Sequence, residues 1–76
     1  MQLTTALTEL AKARQYVADG AKSVLTQRRL VERLKRQGRD VGEAGLLLEC
    51  LEEMQDQYLS HRDRLEQQVL KILVPA

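Results

Sequence analysis

The sequence predicts an all-α protein: two long antiparallel helices joined by a short turn, a helical hairpin with enough spare apolar surface to pair into a dimeric four-helix bundle. Composition is one reason. There is no Trp or Phe, only two Tyr, and 30% of the residues are charged, a balance that suits long helices better than strands, which want β-branched and aromatic side chains. The other reason is a seven-residue apolar repeat on each side of a glycine-marked break.

The first predicted helix covers residues 3–37. Leu10, Val17, Val24 and Val31 recur every seven residues, Leu3 continues the series, and Ala6, Ala13, Gly20 and Leu34 fill the neighbouring register. Small residues at the second seam position let another helix approach closely, so Gly20 reads as a packing feature, at a cost of about 1 kcal/mol relative to Ala. The alternative is that Gly20 breaks the helix and gives three helices. Thr4, Thr5 and Thr8 are candidate caps at its start.

The turn is predicted at 38–42. Arg33, Lys35 and Arg36 place cations against the negative end of the helix dipole, and Gly38 can take the left-handed cap that follows. Asp40 with Glu43 three residues on reads as a capping box for the second helix, predicted over about 41–73. That helix carries Ala44, Leu51, Tyr58, Leu65 and Ile72 at heptad spacing, flanked by Leu47, Leu48, Met54 and Val69, and should end before Pro75. Residues whose numbers sum to about 79 should then face each other. Val31 meets Leu48, Val24 meets Met54 or Gln55, Val17 meets His61 or Arg62, and Leu10 meets Val69.

Seventy-six residues form a single domain, near the lower size at which a chain buries enough apolar surface to fold unaided. Cys50 is the sole cysteine and cannot pair within the chain, so oligomerisation is the remaining staple. Leu25, Leu30, Leu34, Leu46, Leu59 and Leu70 lie off the seam, and a lone hairpin could not cover them all. A second copy would.

Charge and chemistry exclude more than they propose. The net charge is +1, which gives no global pull toward nucleic acid or anionic lipid. The first ten residues lack the basic and apolar regions of a signal peptide, and no apolar run approaches the ~20 residues that span a bilayer. The expected location is the cytoplasm. The densest basic block is Arg28, Arg29, Arg33, Lys35, Arg36 and Arg39; Glu43, Glu49, Glu52, Glu53 and Asp56 on the facing helix should neutralise much of it.

His61 has Gln57 and Leu65 at the positions where an i, i±4 metal ligand would stand. It is expected at the seam's edge, with Arg62, Asp63 and Arg64 forming surface ion pairs. Cys50 lies eleven residues from His61, some 16 Å along one helix at 1.5 Å per residue, which removes a nucleophile–base pair. A half-buried apolar role is expected for it, with an interchain disulfide as the alternative. No enzyme activity, metal or cofactor is expected.

Gln27, Arg28, Val31, Leu34, Gly38, Asp40, Glu43, Ala44, Leu47 and Leu48, followed by the block His61, Arg62, Asp63, Arg64, Leu65, resemble a group of short helical-hairpin proteins of soil and plant-associated proteobacteria. The resemblance covers about half the chain. It implies a helical hairpin and a bacterial source, and it transfers no activity and no site.

The functional expectation is a non-enzymatic protein–protein interaction module acting as a homo-oligomeric bundle, its partners being itself and another protein. Arg28, Arg29, Arg33, Arg36, Leu30 and Leu46 are the candidate interaction residues. The alternative is a small nucleic-acid-associated regulator using the Arg28 to Arg39 block, a reading that the facing acids disfavour.

Overall fold

Two helices, α1 (Leu3–Arg36) and α2 (Gly42–Leu73), make up the architecture. The structure is a computed structural model and describes residues 2–74. The helices pack side by side over most of their length, giving a rod 57 × 16 × 14 Å. An all-α helical hairpin is therefore the fold. Helix α1 runs unbroken through Gly20, so the three-helix alternative does not hold.

The turn is built from backbone geometry more than from side-chain caps. Gly38 has φ +66°, a left-handed conformation that costs a residue with a Cβ roughly 1–2 kcal/mol. Around it the Gly38 N–H donates to the Lys35 carbonyl at 3.0 Å and the Arg39 N–H to the Leu34 carbonyl at 2.9 Å, the paired bonds of a Schellman motif. The expected capping box does not form. Val41 holds the N-cap position without a side-chain bond, and Asp40 accepts instead from the Gly42 N–H at 2.9 Å. Asp40 thus tightens the turn one residue too early to close a box with Glu43.

The threonines do not cap α1 either. Gln2 stands at the N-cap, and the Thr8 hydroxyl donates back to the Thr4 carbonyl at 2.9 Å, a local bond available to a mid-helix Thr. At the other terminus α2 closes with the Val74 N–H donating to the Leu70 carbonyl. The expected stop at Pro75 lies outside the described residues.

The heptad seam forms the core. Ala6, Leu10, Ala13, Leu65 and Val69 make one buried cluster at the open end, with Leu3 and Ile72 packed on it; Val24 and Val31 are also buried. Alanine at 6 and 13 lets the backbones close, so the best-sealed part of the interface lies far from the turn. Toward the turn the seam loosens. Leu34, Leu48 and Leu51 are half-buried, and the expected flanking residues Leu47 and Met54 are 50% and 45% exposed.

Candidate interaction surface

Helical spacing divides the hairpin into two flanks beside the seam. Arg14 and Arg28 are two heptads apart on α1, as are Glu52 and Glu66 on α2, so each pair shares a flank. They meet across the groove: Arg14 Nη2 lies 3.4 Å from Glu66 Oε1, and Arg28 Nη2 lies 3.7 Å from Glu52 Oε2. Arg62 extends this charged flank, its guanidinium 2.9 Å from Asp63 and 3.9 Å from Glu66. Such exposed pairs contribute little stability, but they mark a solvated face.

The opposite flank is of another character. Tyr16, Ser23 and Leu30 follow at heptad spacing on α1, and Leu47 and Met54 on α2. Among the described residues no ion pair crosses it between the helices, although Glu9, one heptad before Tyr16, pairs with Lys12 at 3.6 Å along α1. The rings of Tyr16 and Tyr58 stack with centroids 5.6 Å apart and planes 20° from parallel, a favourable offset arrangement. Beside the stack opens a shallow cleft of about 130 Å³, lined by Tyr16, Asp19, Gly20, Ser23, Leu51, Met54 and Tyr58.

Gly20 forms the floor of this region for a specific reason. A Cβ there would collide with the Gln55 amide oxygen. With no side chain in the way, Gln55 lies across the α1 backbone and its Nε2 donates to the Val17 carbonyl at 2.9 Å. That donor fixes the amide's orientation and leaves Oε1 buried without a conventional hydrogen-bond partner, held against the Gly20 Cα where a weak Cα–H contact is available. Gln27 makes a similar reach, donating to the Ala44 carbonyl at 3.0 Å. Gln55 thus reaches the Val17 carbonyl across the gap that glycine leaves.

The candidate residues separate. Arg29, Leu30 and Arg33 come together with Thr26 and Gln27 around one open hollow on α1. Arg28 points to the other flank and holds Glu52. Arg36 continues the Arg29 stripe one heptad further on, and Leu46, 63% exposed, stands alone on the outer side of α2. The expected neutralisation of the basic block is realised within 4.0 Å at one position, Arg28 with Glu52; among the described residues Arg29, Arg33, Lys35, Arg36 and Arg39 meet no carboxylate at that distance. Long side chains on two helix backs diverge from the groove, so matched numbers along the chain do not bring their charges together.

Cys50 is exposed, not half-buried, because position 50 lies a third of a turn out from Leu51 on the seam. His61 is also exposed. No group of three or more His, Cys, Asp or Glu able to hold a metal ion occurs among the described residues. Among those residues, no helix is long and apolar enough to cross a membrane. Two features escape sequence reasoning: the Tyr16–Tyr58 stack, which heptad arithmetic places on one flank once the register is known, and the Gln55 bridge, whose one signal is a polar residue opposite a seam glycine. Comparison of the chain with protein-family models, with curated proteins and with solved structures finds no match in any of the three.

Proposed function

We propose that this chain is a non-enzymatic protein-interaction module that works as a homodimer of hairpins. The observation that carries the reading is the flank where Tyr16 and Met54, 56% and 45% exposed, line one cleft and Leu47, 50% exposed, stands one heptad before Met54. Contiguous apolar surface on a folded chain marks a binding face, and a chain of this size gains the stability it lacks by covering such a face. Denaturation over about a hundredfold range of protein concentration tests it. The midpoint should rise with concentration, since association stabilises the folded state by mass action; a midpoint independent of concentration rejects it.

A second reading has one observation in its favour. Arg29, Arg33, Lys35, Arg36 and Arg39 lack carboxylate partners among the described residues, and a dimer would hold two such stripes. A nucleic-acid-associated regulator would then neutralise several phosphates at once. Its affinity for duplex DNA would fall by orders of magnitude between roughly 50 and 200 mM salt. Weak binding with a shallow salt slope returns the module to protein partners alone.

A further inference from the structure

The ion-paired flank is not polar throughout. Leu7, Arg14, Ala21 and Arg28 follow at heptad spacing on α1, and Leu73, Glu66, Leu59 and Glu52 on α2. Arg14 meets Glu66 and Arg28 meets Glu52, so Leu7 stands level with Leu73, and Ala21 with Leu59. Just outside this line lie Ala11, Ala18 and Leu25 on α1 and Leu70 on α2. Two leucine patches therefore straddle the Arg14–Glu66 bridge: Leu7, Leu70 and Leu73 at the open end, Leu25 and Leu59 toward the middle. Leu59 is half-buried and the other four are exposed.

We propose that this flank takes a second copy end for end, α1 against α1, as a contact separate from the face of Tyr16 and Met54. It goes beyond the dimer reading and does not depend on it. Antiparallel helices set residues of constant number sum opposite each other. With a sum of 32, Leu7 meets the partner's Leu25, Ala11 the partner's Ala21, and Arg14 the partner's Ala18. A slip of one heptad either way moves Leu7 off leucine, onto Ala18 or Glu32. The same two-fold brings Leu59 level with the partner's Leu70, so each leucine patch covers the other.

The charges permit this arrangement and disfavour its alternative. Arg14, Arg62, Asp63 and Glu66 are joined within each hairpin and flank the two-fold as two cations and two anions, so the two sets meet without net repulsion. Rotation about the rod's long axis would instead lay α1 on the partner's α2. Ala18 and Leu25 would then press on the partner's Asp63 and Asp56, desolvating carboxylates against apolar side chains, and Glu32 would meet the partner's Glu49. Partial desolvation of the central ion pairs keeps the end-for-end contact weak. It should fill after the Tyr16 face, and two self-complementary faces on opposite flanks join dimers into a row.

Paired cysteines test contact and register together. In the Cys50→Ser background, chains with Ala11→Cys and chains with Ala21→Cys are mixed at near-millimolar concentration and left to oxidise in air. Facing alanines bring their Cβ atoms toward the roughly 3.5–4.5 Å that a disulfide needs, whereas two copies of one variant hold their thiols about 15 Å apart along the axis, from ten residues of offset at 1.5 Å each. The mixture should cross-link and either variant alone should not. In sedimentation equilibrium from micromolar to near-millimolar concentration, the average mass should climb without a plateau at two chains. Ala18→Gln, an exposed and helix-tolerant change, should weaken that second step about tenfold by over-packing it and leave the dimer intact. Cross-linking within one variant alone, or a mass that never rises with concentration, overturns the contact. Loss of the dimer itself in Ala18→Gln overturns the separation of the two faces. A chain that is single at micromolar concentration and pairs only through Ala11 and Ala21 bears out this contact and rejects the Tyr16 dimer.

Discussion

The Gln55 side-chain amide donates to the Val17 carbonyl at 2.9 Å, passing over the bare backbone of Gly20. One residue's missing side chain and another's polar reach therefore form a single feature that spans the two helices. Gly20 carries the helix-propensity cost of glycine, and the Gln55 bond offsets part of it.

Coupling between the two positions follows. Gln55→Ala should destabilise by about 1 kcal/mol through the lost bond. Gly20→Ala should destabilise the native chain, because its Cβ displaces the amide, and should cost less in the Gln55→Ala background, where the Tyr58 ring at 3.1 Å is the close neighbour that remains. Urea denaturation of the four proteins in a double-mutant cycle measures the coupling. Equal effects of Gly20→Ala in both backgrounds would contradict it.

Two other glycines should respond with opposite signs. Gly38 sits at φ +66°, so Gly38→Ala should cost about 1 kcal/mol despite the open space around it. Gly45 lies inside the first turns of α2, where an added Cβ would meet nothing within 4 Å and the φ is an ordinary helical one. Gly45→Ala should therefore gain up to roughly 1 kcal/mol. Thermal melting of both variants against the native chain reads the two signs directly.

Much of this architecture is legible along the chain, and the parts that are not share a cause. Heptads, the basic last turn and Gly38 are local signals, and α1 ends at Arg36 with the glycine cap just beyond it. Asp40 and Glu43 have the spacing of a capping box, but Asp40 instead serves the Gly42 N–H; one residue of offset in the turn separates the two outcomes. The Gln55 bridge and the pairing of Arg28 alone depend on which side chains share a height across two helices. That information is tertiary. It becomes readable only when the register is known.

Packing, not the thiol, should hold the hairpin together. Leu65 is 4% exposed in the core cluster, and Leu65→Ala should cost roughly 2–5 kcal/mol. Leu25, on the ion-paired flank and 46% exposed, should lose under about 1 kcal/mol on the same change. Denaturant titration under reducing conditions compares them.

Cys50 should behave as a surface thiol. It is exposed and free, so a thiol reagent should modify it completely in the folded chain, and Cys50→Ser should alter stability by about 0.5 kcal/mol or less. Protection of the thiol until unfolding, or collapse of the fold on reduction, would contradict this placement.

The mass of the native chain in solution tests the central claim most directly. Light scattering coupled to size exclusion, at micromolar concentration and near physiological salt, should give twice the 8.7 kDa of one chain, with the flank of Tyr16, Leu47 and Met54 covered by a second copy. A cooperatively folded species at the mass of a single chain would contradict it, because that flank would then stand open to water.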